Sequence, residues 1–216
     1  MAVADNVADV RGRIERAGGD PAAVIIVGAK PPSIDACRDA LAAGVVDLGE
    51  NRAQELLAKA GEVDGVRWHF IGRLQTNKVR ALAPHVALWE SVDRESVVDE
   101  LVLRTHHSAE ILVQVNISAE PQKGGCAPGD APGLVRYATE RGLAVRGLMG
   151  IGPEGDPEAA RAPFRLLTTL ADDLALPVRS MGMTADLEVA IEEGSTMVRV
   201  GTGLFGPRRG PILPRD

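Results

Sequence analysis

The sequence is poor in the features that mark secreted and membrane-embedded proteins. Its 216 residues include two cysteines, Cys37 and Cys126, which are too few for a disulfide framework. The longest apolar runs, such as 24–28 and 111–115, are far shorter than the ~20 residues that span a bilayer. The opening stretch MAVADNVADVRGRIERAGG shows no charged-then-apolar leader. We therefore expect a protein of the reducing cytoplasm that does not enter a membrane.

Positive charge is also in deficit. Lys and Arg number 24 against 30 Asp and Glu, which gives a net charge of -6 and a pI near 5.3. Proteins that bind nucleic acids usually carry a basic surplus or a basic stripe, so a small molecule is the better expected ligand. No His, Cys and carboxylate spacing is typical of a zinc site. A chain of this length buries a core without a disulfide or a metal.

Short apolar runs alternate with amphipathic segments along the sequence. Val3, Val7, Val10 and Ile14 recur at helical spacing and predict an opening helix that ends at Gly18 and Gly19. Eight strand-like runs follow, at 24–29, 45–49, 66–72, 86–90, 110–118, 143–151, 177–182 and 196–201. The predicted intervening helices are 33–43, 51–60, 75–82, 93–104, a segment ending near Arg141, 158–174 and 186–193.

Eight strand-helix units favour the α/β class and a closed (β/α)₈ TIM barrel with an extra N-terminal helix. We expect one domain over residues 1–216, with 207–216 as a loose tail. An open doubly wound sheet is the alternative fold. Such sheets usually carry G-x-G-x-x-G after the first strand, whereas this sequence continues VGAKPPS. In a barrel, the functional site forms where the strands end.

Lys30 follows the first buried strand and precedes two prolines, where the chain has to turn. A lysine amine at such a point can attack a carbonyl carbon and form a Schiff base. The alternative interpretation is a lysine that only reaches out to solvent.

The last two strands end in turns rich in small and hydroxyl residues. SMGMT (180–184) leads into a helix for which Thr184 is the predicted N-cap, and free backbone amides at that point attract anions. After the eighth strand, Gly201 and Gly203 allow close approach of a ligand, and Thr202 offers a hydroxyl. The loops after strands seven and eight of barrels frequently bind phosphate.

Arg199 alternates with Val198 and Val200, so its side chain is expected to face into the barrel mouth. A buried arginine needs a partner, either a barrel carboxylate or the ring nitrogen of a heteroaromatic cofactor. A Schiff-base lysine, a phosphate-binding pair of turns and a ring-nitrogen donor together indicate pyridoxal 5′-phosphate (PLP).

Seven motifs then resemble one family over nearly the whole chain. They are AK (29–30), GENRAQE (49–55), WHFIGRLQTNK (68–78), VNIS with QKGG (115–125), GLMGIGP (147–153), SMGMTADLEVAI (180–191) and VRVGTGLFG (198–206). With them the sequence resembles the YggS/PROSC family of pyridoxal phosphate homeostasis proteins, single-domain barrels of PLP fold type III related to the N-terminal domain of alanine racemase.

The resemblance implies PLP as the cofactor and roles for individual residues. Lys30 would form the Schiff base and Arg199 would contact the pyridine nitrogen. Asn51 and Met149 would line the ring pocket. The phosphate cup would comprise Ser180, Gly182, Met183, Gly201 and Thr202. The family usually has Ser where this chain has Ala29, and often Ser where it has Thr184, which affects hydrogen bonding in the pocket rather than binding of the cofactor.

The resemblance also implies a carrier or buffer of PLP in vitamin B6 and amino-acid homeostasis, without robust catalysis. A racemase needs a second acid or base, commonly a tyrosine, and the single tyrosine here, Tyr137, is predicted mid-helix. An arginine at the ring nitrogen leaves the ring unprotonated and a weaker electron sink. A PLP-dependent amino-acid racemase remains the alternative, and a phosphosugar enzyme using Asp47 and Glu50 is a weaker third hypothesis.

The expected partners are PLP and PLP-dependent apo-enzymes, with the protein a monomer or weak homodimer. Other candidates have plainer interpretations. His69 is expected to be a hydrogen-bonded structural residue, and His106 and His107 to close a surface helix. Cys126 is reactive only if its loop, 119–129, is exposed. The stretch Arg73–Arg80 is either a solvated helix face or a basic patch that steers an anion or a partner.

Overall fold

Eight parallel strands close into a barrel, as the sequence predicts. The computed structural model describes residues 2–105, 109–120 and 122–207. Each strand pairs with the next along the chain, and the last pairs with the first. The strands are β1 (Ile25–Ala29), β2 (Asp47–Glu50), β3 (Arg67–Phe70), β4 (Val86–Val92), β5 (Glu110–Val115), β6 (Ala144–Gly150), β7 (Val178–Ser180) and β8 (Met197–Val200). The open-sheet alternative is therefore wrong.

Helices follow the strands and cover the outside of the barrel. They are α1 (Val3–Arg16), α2 (Ile34–Ala42), α3 (Ala53–Ala60), α4 (Thr76–Leu82), α5 (Glu95–Arg104), α6 (Ala131–Glu140), α7 (Arg161–Asp173), α8 (Leu187–Glu192) and α9 (Thr202–Phe205). Ser33 caps α2, since its hydroxyl accepts a hydrogen bond from the Ala36 amide at 3.1 Å. Gly44 follows the end of α2 with φ of 81°, a conformation that favours glycine.

The extra N-terminal helix is confirmed, and its position matters for the site. Val7, Val10 and Ile14 form its buried face. Through this face α1 packs against α2, α8 and α9, so that it lies outside the end of the barrel where β7 and β8 finish. The amphipathic spacing in the sequence thus places a helix behind the two phosphate-binding candidate turns.

Side chains alternate between two buried layers. One layer lies between strands and helices and includes Ile26, Ile111 and Val198. The inward positions form a smaller apolar cluster inside the barrel, made of Val27, Leu88, Leu112, Met149 and Met197. Polar inward positions lie beside this cluster: His69, Glu90, Ser180 and Arg199 are all nearly or completely buried. Arg199 therefore faces the interior, as its alternation with valines predicts.

Several boundaries differ from the sequence predictions. Strand β2 begins at Asp47 rather than at residue 45, β5 ends at Val115 rather than at residue 118, and the predicted helix from residue 158 starts with a 3₁₀ turn at Pro157–Ala160. The short helix α9 was not predicted. His106, His107 and the end of the predicted tail, 208–216, lie outside the described residues. Within the described ranges, no helix is long and apolar enough to cross a membrane.

Candidate functional site

A cavity opens where the strands end, at the end of the barrel predicted to carry the site. Its volume is ≈ 440 Å³. Seven of the predicted site residues line it: Lys30, Asn51, Met183, Thr184, Arg199, Gly201 and Thr202. The remaining lining residues are mostly apolar and were not predicted: Ala29, Pro32, Ile71, Ile151, Ala185, Phe205, Gly206 and Pro207. The cavity thus combines two cations and a polar turn with apolar walls.

Lys30 leaves the end of β1 in an unusual backbone conformation. Its φ is 56°, in the left-handed region, which costs a residue with a side chain about 1–2 kcal/mol. The conformation is held because the Lys30 amide donates to the Gly49 carbonyl oxygen at 2.7 Å. Among the described residues, the Lys30 ammonium has no hydrogen-bond or ion-pair partner, and the residue is exposed. The amine is therefore accessible in the cavity.

A second lysine fixes the backbone next to Lys30. Lys59 is 4% exposed, and its ammonium donates to the Pro31 carbonyl oxygen at 2.7 Å. The same ammonium pairs with Glu50 and lies 3.9 Å from Glu55. This buried ion cluster ties α3 to the residue after Lys30. Sequence reasoning missed this contact, because Lys59 and Pro31 are 28 positions apart and belong to different predicted elements.

The turns after β7 and β8 meet at one side of the cavity. The Thr184 hydroxyl accepts a hydrogen bond from the Gly203 amide at 3.1 Å, which joins the two turns. A Cβ atom at Gly203 would lie 2.8 Å from Val200, so only glycine fits this contact. Within the described part of the chain, the backbone amides of Thr184 and Ala185 have no acceptor. Unpaired amides beside a cavity are suited to bind an anion.

The N-terminal helix holds these turns from outside. Arg13 donates to the Thr184 carbonyl oxygen at 2.8 Å and forms two hydrogen bonds with Glu188, at 2.6 and 2.7 Å. Asn6 donates to the Leu204 carbonyl oxygen at 2.7 Å. Both contacts fix the turns through their carbonyl oxygens and use none of their backbone amides. Sequence reasoning missed them, because no local pattern links residues so distant along the chain.

Arg199 is 5% exposed yet lines the cavity, so it is a cation held below the opening. One terminal nitrogen, Nη2, donates to the Gly150 carbonyl oxygen at 2.8 Å. The other, Nη1, donates to the Ser180 hydroxyl at 2.6 Å and lies 3.9 Å from the Glu90 carboxylate. Burial lowers the pKa of the guanidinium, while the charges of Glu90 and Asp186 oppose that shift.

Arg199 is the end of a line of buried polar groups that we call the polar row: Asp47, His69, Glu90, Ser180 and Arg199. Glu90 accepts from Ser180 at 2.6 Å and from His69 Nδ1 at 2.7 Å. His69 Nε2 lies 3.0 Å from Asp47. A carboxylate only accepts, so both ring nitrogens of His69 carry protons.

The polar row carries charges of alternating sign. Burial alone would lower the pKa of His69, but its hydrogen bonds to Asp47 and Glu90 raise the pKa to about 9. Burial alone would likewise raise the pKa of Glu90, but His69, Arg199 and Ser180 hold it below its usual value. The expectation that His69 is a hydrogen-bonded structural residue agrees with this geometry.

Three predicted site residues do not line the cavity. Met149 is fully buried in the apolar cluster inside the barrel. Ser180 is fully buried and bridges Arg199 and Glu90. Gly182, with φ of 94°, supports the turn, since a Cβ there would lie 2.5 Å from the Ala190 Cβ. Sequence spacing gives the direction of a side chain but not its depth in the barrel.

The prediction that Thr184 is the N-cap of α8 is wrong. The N-cap residue is Asp186 rather than Thr184, because two turn residues follow Thr184 before the helix begins. The Asp186 carboxylate accepts a hydrogen bond from the Met183 amide at 2.6 Å. Thr184 instead joins the two turns through its hydroxyl.

The residues that alternative functions would need lie elsewhere. Tyr137 is half-buried on α6, where its hydroxyl donates to Asp99 at 2.8 Å. Asp47 belongs to the polar row and Glu50 to the Lys59 cluster, and neither lines the cavity. Cys126 lies in a loop that folds back on β5, and burial raises the pKa of its thiol to about 11, so the thiol is not activated.

The basic stretch Arg73–Arg80 leads into α4 and does not line the cavity. Arg73 and Arg80 are exposed, and Lys78 is half-buried.

Comparison with known proteins identifies the family. The alanine racemase N-terminal domain family matches residues 1–209 of the chain. The pyridoxal phosphate homeostasis proteins of Pseudomonas aeruginosa and Aquifex aeolicus are each 42% identical to it. The first alignment covers 95% of this chain and 96% of the relative, and the second covers 90% and 92%. The chain belongs to the pyridoxal phosphate homeostasis protein family. The resemblance drawn from the sequence motifs is confirmed.

Solved structures agree with the family and limit the racemase hypothesis. PipY of Synechococcus elongatus, solved with PLP bound, has a TM-score of 0.82 and 31% identity over 94% of this chain and 100% of PipY. Alanine racemase of Clostridium difficile has a TM-score of 0.74 but 12% identity, and the match covers 58% of the racemase. That likeness is one of fold alone, and the relatives in the homeostasis family are not named as enzymes.

Proposed function

We propose that the protein binds PLP in the cavity and holds it through a Schiff base on Lys30. It acts as a carrier or buffer of PLP in vitamin B6 and amino-acid homeostasis, without robust catalysis of its own. One observation carries the proposal: an unpartnered lysine amine, a turn with unpaired amides and a buried arginine line the same cavity of ≈ 440 Å³.

PLP supplies an aldehyde, a phosphate and a heteroaromatic ring, and the lining offers a matching group for each. Lys30 offers a primary amine for the aldehyde. The amides of Thr184 and Ala185, with the Thr202 hydroxyl, offer donors for the phosphate. Arg199 offers N–H groups for the ring nitrogen, and Asn51 and Ile71 form part of the wall around it.

The described cavity lining does not favour the racemase hypothesis. It contains no tyrosine and no carboxylate, so none of the described lining residues offers a second acid or base opposite Lys30. Arg199 stays protonated and, as a hydrogen-bond donor to the ring nitrogen, does not supply that nitrogen with a proton. Without a protonated ring, the negative charge left when the α-carbon of a bound amino acid loses its proton is poorly stabilised.

Titration with PLP tests the proposal. We expect the protein to develop a near-visible absorption band with a one-to-one endpoint, and Lys30→Ala to lose that band. D- and L-amino acids added to the loaded protein should exchange with the lysine but should not be racemised. Racemisation at a rate typical of enzymes would favour the alternative, and an identical titration of Lys30→Ala would refute the assignment of the lysine.

We also infer the domain organisation, the location and the partners of the protein. Residues 1–216 form one PLP-binding domain, the protein acts in the cytoplasm as a monomer or weak homodimer, and PLP-dependent apo-enzymes receive its cargo. Transfer is tested by mixing the loaded protein with an apo-aminotransferase in the presence of a scavenger of free PLP. Activity that appears at the same rate as with free PLP plus scavenger would contradict direct delivery.

A further inference from the structure

The polar row crosses the inside of the barrel and ends at the cavity. Its hydrogen bonds have a defined direction. Arginine only donates, so the Ser180 oxygen accepts from Arg199 at 2.6 Å. The Ser180 hydroxyl hydrogen then points to Glu90, whose carboxylate accepts it at 2.6 Å. Ser180 therefore acts as a one-atom bridge between an arginine and an acid that are 3.9 Å apart.

This bridge leaves Ser180 unsuited to bind a phosphate. The residue is fully buried and does not line the cavity, although the motif SMGMT suggests a phosphate contact. Its hydrogen is already donated to Glu90. A phosphate oxygen needs a donor, and the nearby donors that do line the cavity are Thr184, Ala185 and Thr202.

Glu90 in turn is held from its other side. It is fully buried, and one of its oxygens accepts from His69 while the other accepts from Ser180. His69 is fixed in the same way between Glu90 and Asp47, which are ion partners on either side of the ring. Each member therefore has one geometry in which all of its hydrogen bonds are made.

The side chain of Arg199 is already held in one conformation by its hydrogen bonds, so little of its conformational entropy remains to be lost when a ligand binds. Arginine has a long side chain with many rotamers, and holding such a side chain still costs up to about 2 kcal/mol. Here Ser180 and the Gly150 carbonyl each take one terminal nitrogen, which fixes the plane of the guanidinium below the cavity. Loss of either acceptor would let the plane turn.

We propose that Ser180 and Glu90 are positioning residues for Arg199, holding its guanidinium at the orientation in which it meets a ring bound in the cavity. Ser180 thus serves the ring end of the site and not its phosphate end. The inference rests on the proposed function for the identity of the ring, while the bridge itself is a feature of this chain.

A double-mutant cycle tests the inference. PLP dissociation constants and the absorption maximum of bound PLP are measured for the wild type, Ser180→Ala, Arg199→Gln and the double variant. We expect Ser180→Ala to weaken PLP binding about tenfold, the effect of losing a hydrogen bond to a charged group, and to shift the absorption maximum in the same direction as Arg199→Gln. In the Arg199→Gln background, Ser180→Ala should change the dissociation constant by less than about twofold and should leave the absorption maximum unchanged.

Inorganic phosphate, measured as a competitor of PLP, separates the two ends of the site. Ser180→Ala should leave the phosphate inhibition constant within about twofold of the wild type, because Ser180 does not touch the anion. Equal losses of PLP affinity in both backgrounds, or a phosphate affinity reduced about tenfold, would overturn the bridge. If Ser180→Ala does not fold, Ser180→Cys replaces it, because a thiol fills the site with a weaker hydrogen-bonding group.

Glu90→Gln extends the test along the polar row. The substitution removes a charge as well as an acceptor, so its readout is the absorption maximum of bound PLP. This maximum should shift in the same direction as in Arg199→Gln. Glu193→Gln is the matched control, since Glu193 holds Arg161 and Arg165 on the outside of the barrel, away from the cavity. A shift in the control equal to that in Glu90→Gln would overturn the inference. Failure of the wild type to bind PLP would overturn the proposed function and, with it, the role at the ring.

Discussion

The buried imidazolium of His69 predicts a specific loss of stability at alkaline pH. Its two ring nitrogens face Glu90 at 2.7 Å and Asp47 at 3.0 Å, and the side chain is fully buried. When His69 loses a proton, one nitrogen becomes an acceptor that faces a carboxylate. The lone pairs then repel each other in a place that water does not reach.

The size and sign of the effect follow from the pKa of His69, which rises from 6.5 to about 9 in the folded protein. Since each tenfold change in proton affinity corresponds to about 1.4 kcal/mol, the shift contributes about 3 kcal/mol to the free energy of unfolding. The folded state binds the proton more tightly. The contribution is therefore complete below pH 6.5 and is lost as the pH rises through 9.

Urea denaturation followed by tryptophan fluorescence measures this loss, from about pH 6 to about pH 10. The comparison is between the wild type, His69→Gln and His85→Gln, because His85 is exposed. We expect the wild type and His85→Gln to lose about 3 kcal/mol more than His69→Gln across this range. If His69→Gln loses as much stability as the wild type, His69 is not the titrating group and the charge pattern of the polar row is wrong.

Two substitutions around the cavity give further predictions. Gly182→Ala should lower the free energy of unfolding by about 2–4 kcal/mol, from its φ of 94° and the 2.5 Å approach to Ala190. Gly155 has a similar φ with open space around it, so Gly155→Ala is the control and should lower the free energy of unfolding by only about 1 kcal/mol. Equal losses in the two variants would show that contact with Ala190 does not limit the side chain at residue 182. Lys59→Met removes the ammonium that binds Pro31, Glu50 and Glu55, and should destabilise the protein by about 3–5 kcal/mol in urea. A loss below about 1 kcal/mol would show that this cluster does not fix the chain next to Lys30.

Local patterns were sufficient to predict the fold. The β-branched run before Lys30 is buried as β1, and the four apolar residues of the first helix lie on its packed side, toward α2, α8 and α9. Ser33 caps α2 as its position suggests, because capping depends on residues only three apart. Alternation along β8 correctly turns Arg199 inward, since the side-chain period of a strand is two.

The candidate site could be predicted less completely than the fold, because much of it depends on contacts between distant parts of the chain. Ser180 and Met149 face the barrel interior, and their depth there depends on how neighbouring strands are staggered, which no single strand encodes. The contacts that fix the site join distant parts of the chain, as Arg13 does to Thr184 across 171 positions. Such pairs leave no periodic signal, because the fold and not the local sequence brings them together.

The most direct test of the account asks which lysine reacts with PLP. The sequence has four lysines, Lys30, Lys59, Lys78 and Lys123, so each is readily followed by peptide mass spectrometry. Borohydride converts a Schiff base to a stable amine adduct. Lys59 is buried in its ion cluster, and Lys123 is ion-paired with Glu120. We expect the adduct to form on Lys30 at one equivalent of PLP. An adduct spread over Lys78 and Lys123, with Lys30 unmodified, would contradict it.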